Sequence, residues 1–323
     1  MNEFNLIELH LAPLSGAEGF GLKDDAALMQ PPAGHDLVLT KDTLVEGVHF
    51  PKGHYGGDTA EKLLRVNLSD LAAKGARPLG YLLSIAWPKS VDVDMHIKGF
   101  AQGLSDVQNA YDFTLYGGDS VAIEGPMVVS ATLIGAVPEG QMVRRSGAKP
   151  GDDIWVSGTI GDGFLGLQIA LGKDITPTPD GEALWLWEEA YYRPEPRLLL
   201  RKILRRYAHA AIDISDGLVA DAHHLAQASE VGLKIELERL PLSTPTRNWC
   251  HNQDRLVKLA TAGDDYEVLF TASPDNRNHL EIQAQQLATN LTRIGSVSSG
   301  ANVTCYDGDG NKVPIAKTGF LHF

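Results

Sequence analysis

Cysteine is nearly absent from this chain, which has only Cys250 and Cys305 among its 323 residues. A single possible pair cannot make the disulfide framework on which small secreted proteins depend. Neither cysteine belongs to a CxxC motif. The sequence therefore implies no disulfide framework and fits a reducing compartment.

Long apolar runs are also lacking, because no stretch of the sequence approaches the roughly 20 residues that a membrane span needs. The first residues carry Glu3 and Glu8, whereas a secretory signal requires basic residues at this place. These two absences predict a cytoplasmic protein.

Basic residues are in the minority, with 28 Lys and Arg against 41 Asp and Glu and a net charge of −13. This balance argues against a general attraction to nucleic acid or to an anionic membrane. An anionic ligand would need local help from metal ions or from a few well-placed cations.

The composition is otherwise that of a globular protein, with 43% hydrophobic and 21% charged residues. A chain of this length usually forms two domains. A polar stretch rich in Gly and Pro lies between the apolar strand predicted at 127–137 and the next one at 154–156. We therefore predict a boundary near residue 145, with an N-terminal domain at 1–145 and a C-terminal domain at 146–323.

Hydrophobic periodicity predicts both helices and strands in each half of the chain. Helical patterns are clearest at residues 60–74, 97–110, 197–207 and 217–229. Further strands are expected at residues 37–40, 81–87, 113–116, 211–214, 233–237 and 267–272. Because helices and strands do not alternate strictly, we expect an α+β fold with two mixed α/β domains.

Several acidic residues stand at strand ends or in Gly-rich turns, where a carboxylate can face a ligand. Asp24 and Asp25 are adjacent, and either a hard cation such as Mg²⁺ or water at an exposed turn would relieve their repulsion. Gly117 and Gly118 precede Asp119, and glycines let a backbone approach a phosphate closely. A helix N-cap or an exposed turn remains the alternative for the acid pair, and a simple hairpin turn remains the alternative for Gly117, Gly118 and Asp119.

The most informative pattern in the second half contains Asp213, Ser215 and Asp216. A buried strand ends here in two carboxylates three residues apart, and Ser215 can cap the helix that follows. A helix N-terminus beside two acids is a plausible site for Mg²⁺ with nucleotide phosphate. A cap alone would need only one of these polar residues.

Three further stretches carry little weight by themselves. Thr40 and Asp42 stand at a strand end with His49 seven residues later, which a turn with a packed histidine also explains. Asp70 shares a helix face with other polar residues, as on any solvated face. Asp264 belongs to an acid pair before a strand, where a loop without a ligand is equally possible.

Taken together and in this order, the motifs resemble those of the thiamine-monophosphate kinase family, within the superfamily of aminoimidazole ribonucleotide synthetase. The resemblance runs from about residue 19 to the C-terminus. Its most specific parts are the stretches DDAA, TLVEGVHF, NLSDLAAKGA, YGGDS, RSGAKPGD, IDISDGL and GDDYE.

The resemblance implies a two-domain α+β chain that forms a homodimer through its N-terminal domains, with a shared sheet or barrel. ATP and several Mg²⁺ ions are expected in a cleft lined by aspartates of both domains. The implied metal ligands are Asp25, Thr40, Asp42, Asp70, Asp119, Asp213 and Asp216. The implied ATP contacts are Gly118, Asp119, Arg145 and Ser215, and the implied contacts with thiamine monophosphate are His49, Asp264 and Phe320.

The implied reaction is direct in-line transfer of the γ-phosphoryl group of ATP onto the phosphate of thiamine monophosphate. A phosphate monoester is already a competent oxygen nucleophile, so no general base is expected. The implied catalytic groups stabilise charge, and they are Mg²⁺ and Arg145. An acid and an aromatic ring beside the cationic thiazolium are chemically sensible contacts.

Three residues depart from the family pattern, which usually has Gly, Thr and Glu where this sequence has Lys23, Lys41 and Asp264. The ammonium of Lys41 can take the place of one Mg²⁺, which leaves the number of metal ions open. Asp264 is one methylene shorter than Glu, which leaves its direct contact with the substrate open. Two alternatives remain, namely a sister activity such as aminoimidazole ribonucleotide synthetase and a non-catalytic nucleotide-binding regulator. The intact set of aspartates argues against the regulator, because a protein without chemistry has no use for so many ligands.

Overall fold

The structure is a computed structural model that describes residues 3–316 and 318–320. It divides the chain into two compact units, one formed by Met1–Leu71 and Ala76–Gly140 and the other by Ala72–Gly75 and Gln141–Phe323. Each unit has a sheet of its own, and each is described separately below.

The first unit contains a four-stranded mixed sheet in the order β1-β4-β2-β3. Its helices and strands are α1 (Glu3–Leu6), β1 (His35–Val45), α2 (Gly57–Ala73), β2 (Arg77–Pro88), α3 (Val93–Tyr111), β3 (Thr114–Ile123) and β4 (Val128–Pro138). Strand β4 is antiparallel to both of its neighbours, β1 and β2, whereas β2 and β3 are parallel. A π-helical turn at Ile7–Leu11 and 3-10 turns at Ala12–Leu14 and Ala17–Leu22 precede β1.

One face of this sheet is covered and the other is open. Along β1 the side chains of Val38 and Leu44 are buried, whereas Leu39 between them is 65% exposed. Successive residues of a strand point to opposite faces, so the even-numbered positions of β1 face the core. The helix α3 begins at its N-cap Asp92 and ends at Asp112, which has the left-handed backbone of a helix C-cap.

The second unit contains a seven-stranded mixed sheet in the order β11-β10-β7-β9-β5-β8-β6. Its strands are β5 (Asp153–Ser157), β6 (Ala208–Ile214), β7 (Gly232–Glu236), β8 (Glu267–Ala272), β9 (Leu291–Ser298), β10 (Val303–Tyr306) and β11 (Lys312–Val313). Its helices are α4 (Asp162–Ala170), α5 (Gly181–Tyr192), α6 (Arg201–Tyr207), α7 (Leu218–Ser229), α8 (Thr244–Trp249), α9 (Gln253–Ala260) and α10 (Arg277–Gln286). The 3-10 turns are Leu198–Leu200, Leu237–Arg239 and Pro274–Asn276.

The core of the second unit forms where apolar strands meet the buried faces of the helices. Every residue of β5 and of β8 is buried, as expected for strands in the interior of a sheet that is covered on both faces. Helix α7 contributes Leu218, Ala222 and Leu225 to the same core cluster as Ile212 and Leu269. These side chains recur at helical spacing, which is why the pattern predicts this helix well.

The predicted α+β class is confirmed, since both units combine helices with a mixed sheet. The strand predicted at 267–272 has the same bounds as β8. Two predicted strands are longer in the structure. Strand β1 continues beyond residue 40 to Val45, and β3 continues beyond residue 116 to Ile123. Within residues 3–316 and 318–320, none of the helices combines the length and the apolar character that crossing a bilayer requires.

Candidate functional site

A cavity of about 200 Å³ lies beside β3 in the first unit. Three residues that the sequence singles out surround it, namely Asp25, Gly118 and Asp119, and Asp24 joins them. No lysine, arginine or histidine is found among the described residues that line the cavity. The cavity thus offers oxygen donors, which are the ligands that Mg²⁺ prefers, but Asp24, Asp25 and Asp119 do not bring three ligand atoms within 4.8 Å of one another.

The glycine pair beside this cavity lies inside strand β3 and not in a turn, so the hairpin alternative is wrong. Residues 117–119 pair in parallel with residues 82–84 of β2. A Cβ atom on Gly118 would lie 1.9 Å from the carbonyl oxygen of Leu83, so only glycine permits this close approach of the two strands. The pair therefore lets a strand, and not a loop, carry Asp119 to the edge of the cavity.

A second group of predicted ligands lies between β1 and α2. The Thr40 hydroxyl donates to Asp70 Oδ2 at 2.5 Å. The backbone N–H of Asp42 donates to Asn67 Oδ1 at 3.1 Å, while Asn67 Nδ2 donates to the carbonyl of Leu63 at 2.8 Å. The side chain of Asn67 thus ties β1 to α2, and this places Thr40, Asp42 and Asp70 in one neighbourhood.

Lys41 belongs to the other face of β1. Its ammonium donates to Ser130 Oγ at 2.6 Å, and Thr43 Oγ1 donates to the same hydroxyl oxygen at 3.0 Å. Odd-numbered side chains of β1 point away from α2, so the ammonium of Lys41 lies on the opposite face from the Thr40 hydroxyl. This geometry gives no support to the idea that Lys41 replaces a metal ion next to Asp42.

The two groups of the first unit lie at opposite edges of its sheet, since β1 and β3 are the outermost strands. Neighbouring strands are about 4.8 Å apart, so three intervals separate these edges by about 14 Å. One copy of this unit therefore does not gather Asp25 and Asp119 with Asp42 and Asp70 around a single ion.

His49 lies in the loop after β1, and its Nδ1 accepts a hydrogen bond from the backbone N–H of Val45 at 3.0 Å. Glu46 stabilises the same loop by accepting from the Gly53 N–H, the Tyr55 hydroxyl and the Met127 N–H. These three bonds outweigh the effect of burial and hold the pKa of Glu46 below its ordinary value. Glu46 is therefore a structural acid, a role that only its contacts reveal.

In the second unit the predicted residues converge at the end of β6. Asp213 is the penultimate residue of this strand and is buried, while Ser215 and Asp216 follow in the turn that leads into α7. Gly217, with φ of +120°, completes the turn. The loop and the first turn of α7 together place the polar residues at one end of the strand, as the motif predicts.

Asp221 is a functional candidate that the sequence analysis missed. It is buried in the first turn of α7, where it accepts hydrogen bonds from the backbone N–H groups of Ser215 at 3.0 Å and Asp216 at 3.1 Å. Burial, followed by the charge of Asp216, raises the pKa of Asp221 to about 7. Its only sequence signal is an acid five residues after Asp216, which is too common to be informative.

Asp216, Asp221 and His224 place one ligand atom each within 4.8 Å of one another, and they are the one such group among the described residues. Such a set of two carboxylates and an imidazole provides the donor atoms that a divalent cation requires. The donor chemistry of the β6–α7 turn therefore fits a metal ion at Asp216.

Asp264 and Phe320 reach the same turn through their backbones. The N–H of Asp264 donates to the carbonyl of Ser215 at 3.0 Å, and the N–H of Phe320 donates to the carbonyl of Asp216 at 3.0 Å. The ring of Phe320 is 45% exposed, which leaves part of its surface available for contact with a ligand. An acid and an aromatic ring thus flank the predicted phosphate-binding turn.

The backbone around Arg145 contacts both α7 and β6. The carbonyl of Arg145 accepts a hydrogen bond from Ser229 Oγ at the end of α7, and the preceding carbonyl, of Arg144, accepts from the N–H of Ala211 in β6. The charge of Arg145 opposes part of the rise in the pKa of Asp221. The second unit therefore brings together Ser215, Asp216, Asp264 and Phe320, and the charge of Arg145 acts on Asp221 next to them.

Each of the two units matches the model of a protein family. Residues 23–137 match the family model of the AIR synthase related protein, N-terminal domain. Residues 149–308 match that of the AIR synthase related protein, C-terminal domain. The two matches account for most of the chain.

The chain is also similar to proteins of known name. It is 42% identical to the thiamine-monophosphate kinase of Caulobacter vibrioides, over 99% of this chain and 90% of that protein. It resembles the crystal structure of thiamine-monophosphate kinase from Stenotrophomonas maltophilia with a TM-score of 0.81 and 41% identity, covering 90% of this chain and 91% of that one. It resembles AaThiL complexed with AMPPCP and TMP with a TM-score of 0.78 and 33% identity, covering 99% and 97%.

Proposed function

The chain belongs to the thiamine-monophosphate kinase family of AIR synthase related proteins, and on this basis we propose that it phosphorylates thiamine monophosphate to thiamine diphosphate with ATP. One structural observation carries the proposal. The backbones of Asp264 and Phe320 are hydrogen-bonded to Ser215 and Asp216 in the turn to which we assign phosphate binding, and the charge of Arg145 acts on Asp221 next to this turn. The complex of AaThiL with AMPPCP, an ATP analogue, and TMP supports the choice of both substrates.

We assign ATP binding, metal binding and dimerisation to the N-terminal domain predicted at 1–145, and the remaining contacts to the C-terminal domain predicted at 146–323. The proposed metal ligands are oxygen donors of both domains, namely Asp25, Thr40, Asp42, Asp70, Asp119, Asp213 and Asp216. When bound, Mg²⁺ neutralises phosphate charge and orients the two anionic substrates. The proposed cytoplasmic location agrees with these substrates, which are soluble metabolites.

The roles of the remaining residues follow from their chemistry. Gly118 permits a close approach of the backbone to phosphate, and Ser215 offers a hydroxyl at the turn before α7. Arg145 supplies a fixed positive charge. His49, Asp264 and Phe320 are proposed to hold thiamine monophosphate, with the acid and the ring next to its cationic thiazolium.

The proposed reaction is a direct in-line transfer. An oxygen of the thiamine monophosphate phosphate forms a bond to the γ-phosphorus of ATP, while the bond from that phosphorus to the β–γ bridging oxygen breaks and ADP leaves. The attacking oxygen is already anionic, so no proton has to be removed and no general base is required. Arg145 and the N-terminus of α7 stabilise the charge that spreads over the transferred group.

Metal removal tests this proposal. We expect that EDTA abolishes the formation of ADP from ATP and thiamine monophosphate, because so many of the proposed ligands are carboxylates that repel the phosphates without a cation. Excess Mg²⁺ should restore the rate. A thermal melt in EDTA controls for loss of the fold, and full turnover by a metal-free, folded protein would contradict the proposal.

We also propose a homodimer formed by the open face of the first unit's sheet. Leu39, Leu82 and Val121 are exposed on β1, β2 and β3, and the strand register places all three on this face. An exposed apolar patch of this kind favours a protein partner.

Substitution of an apolar residue on this face by glutamate tests the dimer. We expect the wild type to sediment with twice the chain mass of 34.9 kDa, and Val121→Glu to sediment with that of one chain and to lose turnover. Leu171→Glu is a matched control, because Leu171 is similarly exposed, at 47% against 48% for Val121, but lies in the second unit. A monomeric wild type with full activity would contradict the dimer.

A further inference from the structure

The loop at residues 263–266, between α9 and β8, has an unusual backbone. Asp264 has φ of +74° and Tyr266 has φ of +51°, so two residues with side chains adopt the left-handed region on either side of Asp265. Residues other than glycine rarely adopt this region, because the Cβ atom crowds the following carbonyl. Such a loop keeps its shape only if the surrounding structure holds it in place.

The backbone of this loop is attached to the β6–α7 turn on one side. The N–H of Asp264 donates to the carbonyl of Ser215 at 3.0 Å, and the N–H of Tyr266 donates to the carbonyl of Ile214 at 2.7 Å. These bonds fix the loop at two points along the chain, with the peptide of Asp265 between them.

The other side of the loop faces the turn that begins α4. The side chain of Asp265 provides the attachment there, since its Oδ1 accepts the backbone N–H of Gly161 at 2.8 Å. The two backbones lie close together, because a Cβ atom on Gly163 would lie 1.9 Å from the carbonyl oxygen of Asp264. Asp265 thus connects the loop at residues 263–266, which we call the substrate loop because it contains Asp264, to the N-terminus of α4.

The surroundings of Asp265 are acidic. The side chain is buried, and none of the described residues forms a hydrogen bond with its Oδ2. Burial first, and then the charges of Asp162, Glu267 and Asp264, raise the pKa of Asp265 well above its ordinary value. Asp162 accepts hydrogen bonds from three hydroxyl groups, and Glu267 accepts from Arg197 and Ser157, whereas Oδ2 of Asp265 has no such donor among the described residues.

We propose that Asp265 is a positioning residue for the phosphate acceptor, because its hydrogen bond to the Gly161 amide holds Asp264 in the left-handed conformation that presents its carboxylate to the substrate. This inference rests on the proposed function, since it assumes that Asp264 contacts thiamine monophosphate. The role requires an acceptor oxygen at Oδ1 and no negative charge. An amide at this position should therefore serve as well as the acid.

Steady-state kinetics of Asp265→Asn and Asp265→Leu test the proposal. Asparagine keeps the acceptor oxygen and the shape of the side chain, whereas leucine leaves the Gly161 N–H without a partner. We expect KM for thiamine monophosphate to rise about tenfold in the leucine variant, as the loss of one buried hydrogen bond predicts, with KM for ATP and kcat nearly unchanged. The asparagine variant should keep wild-type values of all three.

Asp153→Asn is the matched control for a general loss of stability. Asp153 is also a buried carboxylate of the second unit, and it accepts from Arg277 Nε at 2.5 Å, away from the substrate loop. This variant should unfold at lower temperature without a change in either KM. Equal KM values in the leucine variant and the wild type, equal rises in both KM values, or an asparagine variant as impaired as the leucine one would overturn the proposal.

Hydrogen exchange separates this inference from the proposed function. In the leucine variant, amides of residues 161–163 and 263–266 should exchange faster than in the wild type, whereas the asparagine variant should match the wild type. A wild type that makes no thiamine diphosphate would contradict the proposed function. The exchange rates would then be the remaining test of whether Asp265 positions the loop. Unchanged exchange in the leucine variant would overturn it.

Discussion

We expect Asp119→Asn to lower kcat by roughly 10³-fold, because the substitution weakens the hold on a cation that would neutralise phosphate charge in the transition state. The substitution keeps the size of the side chain and removes only its negative charge. Asp119 shares its cavity with Asp24 and Asp25 and with no basic residue among those described, so no cationic side chain of the cavity neutralises its charge. Binding of ATP should weaken together with turnover.

Because Asp119 is exposed at the edge strand β3, the asparagine variant should unfold like the wild type. Asp106→Asn is a matched control, since Asp106 is an exposed carboxylate of the same unit and accepts only a surface hydrogen bond from Gln102. Stopped-time assays of ADP formation with thiamine monophosphate measure both variants. Wild-type turnover in Asp119→Asn would remove Asp119 from the site.

Arg197→Met is expected to have the largest effect on stability, with a loss of about 3–5 kcal/mol in the free energy of unfolding. Arg197 binds Glu267 through two nitrogens, with 2.6 Å between Nε and Oε2. The carboxylate is only 6% exposed and also accepts from Ser157 at 2.6 Å. Removal of the guanidinium leaves a buried negative charge beside other acids, which is far more costly than the loss of one hydrogen bond.

Urea denaturation measures this loss. Two further variants show whether the loss is specific to the buried ion pair. Arg239→Met removes an arginine whose pair with Glu236 is 47% and 44% exposed, and it should change stability by less than about 1 kcal/mol. The double variant Arg197→Met with Glu267→Gln should recover part of the loss, since no charge is then buried. A loss below 1 kcal/mol in Arg197→Met alone would contradict the interpretation.

Elements with a strong local pattern could be predicted from the sequence. Residues 267–272 are continuously apolar or β-branched after Glu267, and β8 has those bounds. The helix that follows Gly217 was expected for the same reason, since apolar residues at helical spacing indicate one buried face. The convergence at the end of β6 followed from the order of strand, acid, cap and helix.

Strand limits that depend on a distant partner could not be predicted. The polar residues 41–43 interrupt the apolar pattern, yet β1 continues through them because β4 supplies hydrogen bonds along its full length. Gly117 and Gly118 suggested a turn, since glycine has low strand propensity, but the parallel neighbour β2 extends β3 through them. In both cases the hydrogen bonds to a neighbouring strand override the local preference of the residues for a turn.

The burial of an acid is equally hidden in the sequence. Asp221 and Asp265 look like any surface aspartate in the printed letters, and only the structure places one under the β6–α7 turn and the other under the substrate loop. Conversely, the separation of the first unit's ligands between β1 and β3 follows from the strand order. The order of the motifs along the chain does not give the distances between them in the fold.

The most direct test of the account is product analysis with purified protein, ATP, Mg²⁺ and thiamine monophosphate, with free thiamine as a control acceptor. Chromatography should find thiamine diphosphate and ADP in equal amounts from the monophosphate and no phosphorylated product from free thiamine. If ATP binds but no thiamine diphosphate forms, the substrate assignment is wrong, and a sister activity on another phosphate-bearing substrate becomes the better account.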